Sequence, residues 1–163
     1  MIRLRAPILF AAILVLAALV AGTAGAKPRT WAFSATFSGT ATEKVDGQAV
    51  AATAKGTGTV SLIGKSTISG VVNATTANPP CSPFNGPGTI TSPKAKLSVT
   101  VLPTSRGCAA GEDAQNDISI SGSVKVSKGS LKYKAAKGTL RFTGHYDRSS
   151  GAFTVKLTGK LTY

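Results

Sequence analysis

The chain has 163 residues, with 19 Lys and Arg against 6 Asp and Glu, a single His, and a formal charge of +13. So few acids and one histidine leave little for acid–base, metal or nucleophilic chemistry, so neither an enzyme, a cofactor nor a metal site is expected. The positive excess favours contact with something anionic.

The first 26 residues have the layout of a secretory signal peptide. Arg3 and Arg5 precede an apolar run from about Pro7 to Val20, and small residues end at Ala24-Gly25-Ala26. The run is shorter than the roughly 20 residues that cross a bilayer core. Cleavage is therefore expected after Ala26, leaving residues 27–163 as one domain with a formal charge of +11. The chain is expected to be secreted or associated with the cell envelope.

Beyond Ala26 the apolar residues recur at every second position, which predicts strands throughout. "TWAFSATFSG" sets Trp31, Phe33, Ala35 and Phe37 on one face and Ala32, Ser34 and Thr36 on the other. Asp46-Gly47 predicts a hairpin turn. The return stretch alternates through Val50, Ala52, Gly56, Gly58, Val60 and Leu62, and Gly64-Lys65 turns into a third strand, "STISGVVNA". Four of the eight prolines fall between Thr75 and Gly88, so that segment is expected to be a loop. "KAKLSVTVL" resumes with Ala95, Leu97, Val99 and Val101 inward and is expected to break at Pro103. Ile118, Ile120, Val124 and Val126 mark a further strand, and three more are predicted over Leu131–Ala135, Thr139–Tyr146 and Ala152–Tyr163. The fold class expected is all-β: an antiparallel barrel or two-sheet sandwich of about eight strands.

Cys81 and Cys108 each lie in a stretch rich in turn formers, and an exported chain with two cysteines is expected to join them in one disulfide. Glu112, Asp113 and Asp117 surround one loop, "GEDAQND", which lacks the Gly and the distal Glu of a calcium loop and reads as solvated turn chemistry.

From Lys125 onward there are nine Lys and Arg and one acid, Asp147. If the last four strands form a meander, period two sets Lys125, Lys132, Lys134, Arg141, His145, Lys156 and Lys160 opposite Leu131, Tyr133, Leu140, Phe142, Phe153, Val155 and Leu157. That basic face is the expected contact for an anionic envelope or wall polymer or lipid headgroups. Nucleic acid is disfavoured, because no aromatics stand among the lysines to stack on bases. His145 is expected to be an exposed histidine without a catalytic role.

The chain ends "GAFTVKLTGKLTY". A terminal aromatic with Leu161, Leu157, Val155 and Phe153 spaced before it resembles the C-terminal signature of bacterial outer-membrane barrels. That resemblance covers one strand only. Gly159 interrupts it, and aromatics at 6% are too few for two interfacial girdles, so a soluble closing strand is expected instead. A small ligand-holding barrel is a further alternative, for which no convergent polar site is evident in the sequence.

Overall fold

The alternation becomes a closed wall with two unlike faces. The computed structural model describes residues 27–75, 80–109 and 116–163; the expected leader lies outside them, as do Glu112, Asp113 and Gln115. Eight strands run in chain order around a barrel: β1 (Thr30–Asp46), β2 (Ala49–Val60), β3 (Gly64–Thr75), β4 (Cys81–Ser92), β5 (Ala95–Ala109), β6 (Asp117–Lys128), β7 (Gly138–Asp147) and β8 (Ala152–Thr162). Each pairs antiparallel with its sequence neighbours, and β8 closes on β1 from Thr30↔Thr162 to Thr40↔Ala152. Closure leaves no unpaired sheet edge. Of barrel and sandwich, the molecule is a barrel.

One face of every strand is turned to the interior. On β1 Trp31, Phe33, Ala35 and Phe37 are buried while Ala32, Ser34 and Thr36 are exposed. Val60, Ile90, Leu97, Val126, Leu140, Leu157 and Leu161 continue the core from β2 and β4 to β8, and the half-buried Ile68 of β3 packs against it. Burying a large apolar side chain of this kind contributes roughly 1.5 to 3 kcal/mol. Asp46-Gly47 turns β1 into β2 as expected, with Gly47 at φ +58°.

The proline-rich segment is not the loop expected between Thr75 and Gly88. Residues 81–88 are the first part of β4, 76–79 lie outside the described residues, and Pro87 sits where the ladder tolerates a missing donor. The β3–β4 pairing is interrupted between Gly70↔Gly88 and Asn73↔Asn85, where Pro87 has no N–H to offer. Nor does Pro103 end β5. Val101 pairs with Gly86 and Val124, whereas Arg106 pairs with Pro83 and Ser121, so residues 102–104 form a bulge on both sides. The wholly buried Ser105 repairs the gap: its hydroxyl accepts from the Ser123 N–H at 3.3 Å and donates to the Ser123 carbonyl at 3.4 Å. Gly122 leaves the room it needs, because a Cβ there would lie 2.7 Å from the Ser105 Cα.

The strand expected over Leu131–Ala135 is a 3-10 turn, Leu131–Tyr133. Tyr133 turns into the barrel and Leu131 out of it, 69% exposed at φ +53°. Leu62, expected to continue the β2 alternation, likewise stands exposed in the β2–β3 turn at φ +70°, and Ile63 is buried in its place.

Candidate ligand-binding cavity

The two ends of the barrel are built from different inward side chains. At the end where the chain enters and leaves, Arg29 and Tyr163 exchange backbone hydrogen bonds of 3.0 Å. Here Trp31 meets Phe33, Tyr133 and Tyr163 at ring-centroid distances of 5.4, 5.3 and 6.0 Å, and Tyr133 meets Tyr163 at 5.1 Å. The Trp31 indole N–H donates to the Ser61 hydroxyl at 3.3 Å. The terminal aromatic is thus one wall of a plug.

At the other end many of the inward residues are small. Ala41, Ala52, Ala54, Gly70, Gly88 and Gly107 take the positions that Phe, Leu and Ile occupy lower down, and a cavity of about 690 Å³ is left open to solvent. Phe84, Val101, Ile120, Phe142 and Phe153 supply most of its large apolar lining. Eight strands enclose an interior that is either filled by side chains or able to hold one small molecule. This barrel is filled in one half and hollow in the other.

A polar cluster marks the mouth. Glu43 continues the inward row of β1, and its carboxylate lies 3.5 Å from the Arg148 guanidinium. The Tyr146 hydroxyl donates to the same carboxylate, and partial burial followed by the negative charge of Glu43 pushes the Tyr146 phenol up to about 12. The folded state therefore keeps a proton that the unfolded chain loses from about pH 10.0. This contribution to stability is complete below pH 10 and is lost as pH rises towards 12. Absorbance titration at 295 nm is expected to show a phenol ionising near 12 that Tyr146→Phe removes; an unchanged curve in that variant would contradict the contact.

The disulfide lies at the same end. Cys81 and Cys108 are direct partners in the β4–β5 ladder and are joined, as expected from the sequence.

The expected basic residues divide into two groups. Lys125, Arg141, Lys156 and Lys160 do project from the outer wall of β6, β7 and β8, interleaved with Ser123, Thr139, Thr143 and Thr158. Lys132 and Lys134 do not join them, because the segment carrying them is the 3-10 turn and not a strand; Lys132 lies over the Tyr133 ring, 5.1 Å from its centroid. His145 faces outward and meets Asp117 at 3.4 Å, with both side chains half or more exposed. The Asp147 carboxylate accepts instead from the amides and hydroxyls of Ser149 and Ser150, which hold it low, at about 2. Among the described residues no three metal-ligating side chains gather.

Comparison with family models, curated proteins and solved structures returns no match. Glu43, Tyr146 and Arg148 are the residues that sequence reasoning missed. The signal available was a glutamate on the inward parity of β1, a position where an apolar residue is otherwise the rule.

Proposed function

We propose that this chain is an exported, non-enzymatic barrel that binds one small, largely apolar molecule in its open half. The observation that carries the reading is the cavity of about 690 Å³, apolar along its walls and polar at its mouth. Binding sites for small molecules have this build: an apolar lining of this size with a few placed polar groups. The Glu43, Tyr146 and Arg148 cluster offers a hydrogen-bonding partner to the polar end of a guest while the remainder is buried. A lipid-spanning barrel has less support, because Ser34, Thr36, Ser38, Lys156, Thr158 and Lys160 occupy outward positions where a membrane barrel carries an apolar band.

The test is titration with N-phenyl-1-naphthylamine, which fluoresces when it leaves water. One probe per barrel is expected, displaced by long-chain alcohols or fatty acids. Ala54→Phe, which fills the cavity from its wall, is expected to weaken binding by at least about tenfold, or roughly 1.4 kcal/mol. Non-saturable binding, or equal binding by a folded Ala54→Phe variant, would overturn the reading.

A further inference from the structure

The charge of this barrel is sorted along its axis. Every acid among the described residues, Glu43, Asp46, Asp117 and Asp147, lies at or beside the open end. The closed end carries Lys65 beside the β2–β3 turn, Lys94 and Lys96 at the β4–β5 turn, and Lys128, Lys132, Lys134 and Lys137 along the β6–β7 connection, all exposed. In the linear sequence the excess looks like a property of the C-terminal third. In three dimensions the hairpins gather Lys65, Lys94 and Lys96 with Lys128, Lys132, Lys134 and Lys137 at the closed end, where no described acid lies, while Lys44, Arg106 and Arg148 stand towards the open end among the acids.

Two leucines stand among these lysines. Leu62 is 57% exposed and Leu131 is 69% exposed, and the turns that carry them lie four strands apart in a ring of eight, on opposite sides of the closed end. Each has a positive φ, +70° and +53°, a conformation that costs a non-glycine residue free energy and that glycine or asparagine would adopt more readily. A solvated turn has no use for a strained, exposed leucine. Apolar tips ringed by lysines match the boundary of an anionic bilayer, where leucine enters the headgroup region and lysine pairs with phosphate.

We propose that the closed end docks on an anionic lipid surface, with Leu62 and Leu131 as insertion points and the lysines around them as the electrostatic contact. Docked in this way, the barrel stands on its plug with the mouth of the cavity turned away from the membrane. The inference is independent of what the cavity holds. Among anionic partners a bilayer is favoured over a soluble polyanion by the leucines, for which a polymer backbone offers no apolar counterpart.

The experiment is sedimentation of the 27–163 chain, whose described strands close the ring among themselves, with vesicles of phosphatidylcholine alone or with about one third phosphatidylglycerol. Binding is expected only to the anionic vesicles and is expected to fall as salt rises. Changing Lys132, Lys134 and Lys137 together to Gln is expected to weaken it by about fivefold per lysine near the surface and to flatten the salt dependence. The double variant Leu62→Gly with Leu131→Gly is expected to bind at least about tenfold less tightly, since each leucine loses its apolar burial. Its melting temperature is expected to hold or rise, because the strain at both turns is relieved, so weaker binding is not unfolding. Equal affinity for neutral vesicles would overturn the proposal. So would a double leucine variant that binds as tightly as the parent, which would mark the closed end as a site for soluble polyanions instead.

Discussion

Trp31→Ala is expected to destabilise the barrel by about 3 to 5 kcal/mol, the range for removing a large buried aromatic, and to lower the melting temperature by roughly 10 to 20 °C. Trp31 is 3% exposed and touches Phe33, Tyr133 and Tyr163. Removing it leaves three aromatic rings around a void and the Ser61 hydroxyl without its indole partner. Collapse into the gap is limited, because the Tyr163 backbone is tied to Arg29 by paired hydrogen bonds and Tyr133 is set in the 3-10 turn. Trp31→Phe is expected to recover most of the loss, since a ring still seals the end. Thermal unfolding followed by circular dichroism checks both; a loss under about 1 kcal/mol for Trp31→Ala would mean that the plug does not close the barrel.

Removal of the disulfide is expected to cost about 3 to 4 kcal/mol, from the freedom that the unfolded chain regains when a loop of this length is opened. Cys81 and Cys108 are 27 residues apart in sequence and face each other across the β4–β5 ladder. The bond lies next to the least regular part of the wall, where Pro87 interrupts the β3–β4 pairing and residues 102–104 bulge from β5. Denaturant unfolding of Cys81→Ser with Cys108→Ser, against the oxidised parent, measures the cost. Because the bond clamps the open end, the double variant is also expected to exchange the amide hydrogens of residues 81–86 faster while those near Trp31 stay protected. Uniform acceleration would assign the bond a global role only.

How much of this was legible in the sequence follows from the range of each signal. The inward parity of β1, β5, β6, β7 and β8 is a local property, and Phe33, Leu97, Val124, Phe142 and Leu157 all take the face that alternation assigns them. The disulfide needed only two cysteines and the expectation, from the first 26 residues, of an oxidising compartment. Local rules failed where neighbours compensate. The prolines of β4 suppress a strand in any single-segment reading, yet they fall beside a bulge and a ladder gap that only β3 and β5 define. Leu131-Lys132-Tyr133-Lys134 alternates like a strand, yet it is too short to span the wall and folds under the barrel instead. These two errors cancel in the strand count, so the expected number of eight agrees with the barrel while two members of the set differ.

The cavity was the least legible feature. A small residue at Ala54 or Gly88 means little in one strand. It makes a hollow only because the registers of β1 to β5 set Ala41, Ala52, Gly70, Gly88 and Gly107 within one half of the ring. The basic closed end was hidden in the same way, since Lys65, Lys94 and Lys132 are distant in sequence and share an end through alternating hairpins alone.

The central claim, an apolar guest held inside the open half, is tested most directly by recording amide and methyl NMR shifts during titration with a long-chain fatty acid. Saturating shifts are expected at Ala54, Val101, Ile120, Phe142 and Phe153, with Trp31 and Leu161 beneath the cavity floor little moved. Shifts confined to the outer wall around Lys156 and Arg141, or no saturation at any lining residue, would contradict it.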